Sequence, residues 1–194
     1  MSNRSFKEGK LQFTFSDSWL VRKYDAHTFY RGFSGVGLKG VDFIAVRPRE
    51  LLLIEVKNYR HIRNGRRRAT VAQVLEDPAG IGRAIAQKGQ DTLQAIHAIR
   101  TYYLRKWDYR WSVPFLKRFW WQWSDRSFWT QVAAQADYPE RITFLIWLAT
   151  DPADADLAQT IRNEIIAGMD TTPGQVMITD TKVPYDGVAV RWLV

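Results

Sequence analysis

Gly40-Val41-Asp42-Phe43-Ile44-Ala45-Val46 and Leu51-Leu52-Leu53-Ile54-Glu55-Val56-Lys57 decide how this chain folds. Both runs are apolar and rich in β-branched or aromatic residues, so both predict strands. The link is Arg47-Pro48-Arg49-Glu50, with Pro48 at the second position of a tight turn. A turn centred between Pro48 and Arg49 sets Val46 opposite Leu51 and Asp42 opposite Glu55. Directly opposed strand side chains share a face, with Cβ atoms about 4.5–5.5 Å apart. Side chains alternate along a strand, so Glu55 and Lys57 share that face too. Two carboxylates and an ammonium would then project from one patch of an otherwise apolar hairpin.

Such a patch needs a cause. Opposed like charges weaken a strand pair, and a buried carboxylate pair must share a proton or bind a cation. A hard divalent cation such as Mg²⁺ takes oxygen ligands and removes the conflict. Lys57 beside it could orient or deprotonate a water, or neutralise charge developing on a phosphate. The competing explanation is an edge hairpin whose polar residues simply face solvent.

The segment resembles the core of the PD-(D/E)xK nuclease superfamily, which includes restriction endonucleases and archaeal-type Holliday-junction resolvases. Val41-Asp42 is similar to the degenerate Pro-Asp element, and Glu55-Val56-Lys57 to the (D/E)xK element. The likeness is close over residues 39 to about 59 and rests on predicted topology elsewhere. It implies Asp42 and Glu55 as ligands of Mg²⁺ or Mn²⁺, the Val56 carbonyl as a further ligand, and Lys57 as the catalytic lysine. It also implies a restriction-endonuclease-like fold. Members of the superfamily often add an acid from their first helix. Glu8, Asp17 and Asp25 are the candidates here, none at a fixed spacing.

Composition agrees with a nucleic-acid partner. The 194 residues suit a single nuclease-like domain spanning 1–194. A net charge of +8 and a pI near 9.8 suggest a polyanionic partner, and the nuclease resemblance implies DNA. Cysteine is absent, which excludes a disulfide framework and a Cys-based zinc site. His27, His61 and His97 show no metal-ligand spacing. Met1-Ser2-Asn3-Arg4-Ser5 has no apolar signal core and no long apolar run follows, so a soluble, cytoplasmic protein without stable membrane insertion is expected.

Along the chain, Leu11–Phe15 and Trp19–Val21 are strand-like, and the stretch after them is ambiguous. The hairpin over 40–58 leads into a basic loop over 59–76 that contains an apolar patch from Val71 to Leu75. Asp77-Pro78 predicts a helix start, with the helix running to about Leu104. Ile81, Ile85, Thr92, Ile96, Ile99 and Tyr103 share one face of it. Arg141 to Thr150 predicts a strand buried on both faces. Asp151-Pro152 starts another helix, which Gly168 stops. Val176–Thr179 and Val188–Leu193 are further strands. The fold class is therefore α/β, a mixed central sheet flanked by helices, with an aromatic-rich helical insertion over 105–138.

Three further features carry candidate function. Arg60, Arg63, Arg66, Arg67 and Arg68 follow the proposed catalytic strand and could grip phosphates without regard to sequence; the alternative is a solvated charge run. Lys88 flanks the apolar face of the long helix and could reach the acids, and Gln87 and Lys88 resemble a Gln or Lys that superfamily members place there. The alternative for Lys88 is a snorkelling side chain paired locally with Asp91. The insertion interleaves Trp107, Trp111, Trp120, Trp121, Trp123 and Trp129 with Arg and Lys. It suits a small aromatic core, a homodimer or partner surface, or stacking on unpaired bases, and least of all a membrane surface. Two function classes follow: a Mg²⁺-dependent nuclease, or a catalytically inactive nuclease-fold module that binds nucleic acid or a partner protein.

Overall fold

The computed structural model describes residues 4–58, 76–105, 124–149, 155–179 and 185–193. Strands β1 (Arg4–Glu8), β2 (Leu11–Phe15) and β3 (Leu20–Lys23) open the chain, followed by helix α1 (Thr28–Ser34). The hairpin β4 (Phe43–Arg47) and β5 (Glu50–Asn58) comes next, then helices α2 (Pro78–Arg105) and α3 (Asp125–Ala136). Strand β6 (Ile142–Ala149), helix α4 (Ala155–Ala167), and strands β7 (Gln175–Thr179) and β8 (Val188–Trp192) complete it.

The hairpin register is the one the turn predicts: Arg47 faces Glu50, Val46 faces Leu51, and Phe43 faces Ile54. Pro48 opens the turn and Arg49 closes it at φ 67°, the left-handed conformation that the second central position of such a turn requires. The ladder ends one pair short of the expected Asp42–Glu55 opposition. Asp42 precedes β4, and its N–H donates to the Ile54 carbonyl at 3.0 Å, a slip of one residue of the kind a bulge makes.

The main sheet has order β3-β4-β5-β6-β7. Its first three strands are antiparallel, and β6 and β7 run parallel to β5. The parallel strands need crossovers, which α2 with α3 and then α4 provide. Asp77 caps α2 as expected, its Oδ1 accepting from the Gly80 N–H at 2.7 Å.

Among the described residues helices cover one face of this sheet only, a difference from the expected sheet flanked by helices. Ile44, Val46, Leu51, Leu53, Phe144, Ile146 and Leu148 pack against residues of α2, α3 and α4 on that face. On the other face Phe43, Ala45, Leu52, Ile54, Leu145 and Trp147 meet Leu11, Phe13, Phe15 and Val188. Those last belong to a separate antiparallel sheet of order β1-β2-β8. Both faces of β5 and β6 are thus apolar, which is why each reads as an unbroken hydrophobic run. Burying one such side chain is worth about 1.5–3 kcal/mol, more than the roughly 1 kcal/mol span of strand propensity. Burial therefore fixes the register.

The second half of the predicted insertion is α3, and its Phe128, Trp129, Val132 and Ala133 lie in the main core. The residues from Trp107 to Trp123, the Val71–Leu75 patch and the Asp151-Pro152 start lie outside the described residues. No helix among the described residues is long and apolar enough to cross a membrane.

Candidate metal centre

Alternation along β5 carries Glu55 and Lys57 to the helical face, with Leu51 and Leu53. Glu55 is fully buried. Its Oε1 accepts from Lys57 Nζ and from Lys88 Nζ, each at 2.8 Å. Its Oε2 has no hydrogen-bond partner. An unpartnered carboxylate oxygen at such a depth is costly, because burial penalises charge and nothing offsets it on that side.

Asp42 stands beside it. Its Oδ2 accepts from the Val56 N–H at 2.6 Å, so the side chain takes up the backbone donor that the slipped ladder leaves open. N–H and C=O of one strand residue point the same way, so the Val56 carbonyl lies towards Asp42 as well. Burial, and then the charge of Glu55, pushes the Asp42 carboxyl up to about 7; the Val56 N–H and Lys88 oppose the shift.

The segment leading into Asp42 is clamped from α2. Asp91 Oδ2 accepts from the Lys39 N–H at 2.8 Å, and Thr92 Oγ1 accepts from the Val41 N–H at 3.1 Å. Thr92 Oγ1 also donates to the Lys88 carbonyl at 2.7 Å, tying the turn that carries Lys88 to the approach of Asp42. Between the two anchors, Gly40 lies so close to the Tyr24 and Tyr30 rings that a Cβ would come within 2.7–2.8 Å of them. Only glycine fits without moving an aromatic.

Two of the three candidate N-terminal acids join the site. Carboxylate oxygens of Glu8, Asp25 and Asp42 lie within 4.8 Å of one another. Glu8 ends β1 and Asp25 follows β3, where no local pattern marks either as functional. Lys23 Nζ is 2.7 Å from Glu8 and 3.9 Å from Asp25. Burial raises the Asp25 carboxyl above its usual range, with Lys23 opposing and Glu8 adding to the rise. Asp17 is exposed in the turn after β2 and outside this cluster.

Asp42, Glu55, Lys57 and Lys88 thus come together, with Val56 between them. Gln87 does not join them: its Nε2 donates to Asp91 Oδ1 at 2.7 Å. Adjacent helix positions point about 100° apart, so Lys88 reaches the acids while Gln87 braces the clamp. Asp91 is accordingly held by Gln87 and Lys39 rather than by Lys88. Arg60, Arg63, Arg66, Arg67 and Arg68 lie outside the described residues. Carboxylates with no nitrogen or sulfur donor form a hard set suited to Mg²⁺, Mn²⁺ or Ca²⁺. Compared with protein-family models, curated proteins and solved structures, the chain matches none.

Proposed function

We propose that the chain is a metal-dependent nuclease that hydrolyses phosphodiester bonds of DNA in the cytoplasm, and that β3 to β6 form a restriction-endonuclease-like core. The observation that carries this is Glu55, fully buried with Oε2 unpartnered, beside Asp42 and two lysines. The antiparallel run β3-β4-β5, followed by a helical crossover to a parallel β6 beside β5, supports the same reading.

The residues fit a divalent cation. Asp42 and Glu55 would hold it, with the Val56 carbonyl as a further oxygen. Bound Mg²⁺ would polarise the scissile phosphate and make its water more acidic. Lys57 and Lys88 place two ammonium groups at one edge of the site, where negative charge gathers on a phosphate under attack. Asp91 and Thr92 hold the approach to Asp42 in place. The arginines from Arg60 to Arg68 grip the phosphate backbone in this proposal, with the affinity strongly salt-dependent.

A second reading draws on one observation. Glu55 Oε1 already holds two lysines, so its charge is compensated internally. A catalytically inactive module that binds nucleic acid or a partner protein, or that dimerises through the aromatic segment, would be built that way too.

A plasmid-nicking assay with and without Mg²⁺ separates the two. Wild type is expected to cut only with the metal. Lys57→Ala is expected to keep the fold and lose about 10²–10³ in rate, the usual cost of one charge-stabilising group at a transition state. Failure of wild type to cut duplex, junction, single-stranded and RNA substrates with either Mg²⁺ or Mn²⁺ would leave the binding module in its place.

A further inference from the structure

From Ala26 to Val41, and again from Thr92 to Arg105, the chain carries no acidic residue. The first stretch holds α1 and the turn after it, and the second is the C-terminal half of α2. Arg31 and Lys39 lie in the first, Arg100 and Arg105 in the second, and all four are exposed. Arg100 pairs with Asp137, whereas Arg31, Lys39 and Arg105 have no ion pair among the described residues. Between the two helices runs a groove of about 520 Å³, within the roughly 300–1,000 Å³ of ligand pockets. Phe29, Gly32, Phe33 and Val36 form one wall, and Ile99 and Tyr102 the other. Val36, 77% exposed, and Tyr102, 46% exposed, are open to water.

The groove is aligned with the candidate metal centre. Helix positions three turns apart share a side, so Ile99 follows Lys88 along one side of α2, about 16 Å on. Lys39 stands at the near end, its N–H held by Asp91 Oδ2. Arg105 stands at the far end, on the turn next to Tyr102. The one acid between Lys88 and Arg105 is Asp91, which is buried and already accepts from Lys39 and Gln87. An occupant must suit aromatic walls and must bring negative charge to basic ends. An apolar helix meets the first need only, and an acidic peptide the second. An unpaired nucleic-acid strand meets both, because every base has a π-face and every linkage a charge. At about 3.4 Å per phosphate, about five nucleotides cover the path from Lys88 to Ile99.

We propose that the groove between α1 and α2 binds an unpaired base of a DNA strand, with the flanking phosphates on Lys39 and Arg105. This deepens the nuclease reading, on which it rests for the strand's onward path to the metal centre. The substrate then carries a single-stranded stretch.

The test is fluorescence anisotropy of the whole chain with a labelled oligothymidylate and with an abasic oligomer of the same length, in EDTA so that nothing is cut. Wild type is expected to bind the oligothymidylate about tenfold or more tightly, since base–aromatic stacking is what the two ligands do not share. Tyr102→Ala is expected to remove most of that difference and Tyr102→Phe to keep it, with the salt dependence unchanged in both. Gly32→Leu tests the groove from within. A Cβ at Gly32 meets nothing within 4 Å, so the side chain grows into open space, and leucine suits a helix better than glycine. It is expected to cost the same tenfold; near-ultraviolet circular dichroism reports whether each variant is folded. Equal binding of the two oligomers by wild type would overturn the proposal, and so would a folded Tyr102→Ala or Gly32→Leu that binds oligothymidylate as wild type does. A wild-type dimer in sedimentation equilibrium that Gly32→Leu dissociates, with oligothymidylate affinity unchanged, would overturn it too and give the groove to a second copy. Base-dependent binding lost in both variants, with no Mg²⁺-dependent cleavage by wild type, would support the groove and remove the nuclease reading. Mg²⁺-dependent cleavage, with oligothymidylate affinity unaltered in both variants, would overturn the groove and leave the nuclease reading standing.

Discussion

Asp42 holds a proton through most of the acidic range, because burial and the neighbouring Glu55 raise its carboxyl from 3.8 to about 7. The folded chain therefore binds this proton more tightly than the unfolded chain does. The stabilisation is fully present below about pH 4 and is lost as pH rises through about 7. Urea unfolding should show it: wild type loses stability between about pH 4.5 and 8, and Asp42→Asn removes that share of the loss. Equal pH dependence in the two proteins would mean that Asp42 titrates normally. Cation binding must displace the same proton, so Mn²⁺ affinity should rise with pH through about 7 in wild type. Asp42, Glu55 and Lys57 were legible because a tight turn and strand alternation are local rules. Lys88 was legible as a flank position on a helix. Glu8 and Asp25 could be shortlisted but not singled out, since what brings them to Asp42 is a meeting across the fold that no spacing encodes.

Helix α2 does two jobs, presenting Lys88 to Glu55 and lying close against its neighbours. Its glycines explain the second. A Cβ on Gly89 would stand 2.7 Å from Phe144 Cε1 and 3.1 Å from Met169 Cε, and one on Gly82 would stand 2.5 Å from Glu164 Cβ. Phe144 is fully buried on β6 and has little room to yield. Gly89→Ala is therefore expected to destabilise by about 1–3 kcal/mol, the usual cost of overpacking, less up to about 1 kcal/mol regained in helix propensity. A chemical-denaturation midpoint at or above the wild-type value would show that the ring moves aside. The start and end of α2 were readable from Asp77-Pro78 and from the periodicity of its isoleucines. The need for glycine at 82 and 89 was not, because the surfaces they meet come from β6 and α4, much later in the chain. Strand β1, half-exposed and alternating, and the seven-residue α1 fell below what local pattern can separate from loop. The insertion was expected to be helical, as α3 is, but its place was misread: the aromatic run suggested a small core of its own, whereas Phe128 and Trp129 fill the main core.

At the scale of the whole molecule, the described residues set four helices on one side of a five-stranded sheet and a three-stranded sheet on the other. The mixed sheet and its crossovers follow from the alternation of strands and helices. The small sheet does not, because β8 looks like any short strand and its partner β2 is remote; Arg191 bonds Gln12 from 179 positions away. Glu8 sits on β1, which pairs with β2 at the edge of that sheet, and Lys23 of the main sheet reaches across to it at 2.7 Å. The pairing of β8 with β2 has a kinetic consequence. It closes nearly the whole chain into one loop, so it demands the largest loop closure in the fold and is expected to form late. Val188→Ala, which thins a buried contact of that seam, is expected to speed unfolding while leaving the refolding rate nearly unchanged, so that one arm of the denaturant-dependent rate plot moves and the other stays. Equal movement of both arms would place the seam before the barrier instead. On this account the strand that closes the small sheet governs how long the folded chain lasts rather than how fast it forms.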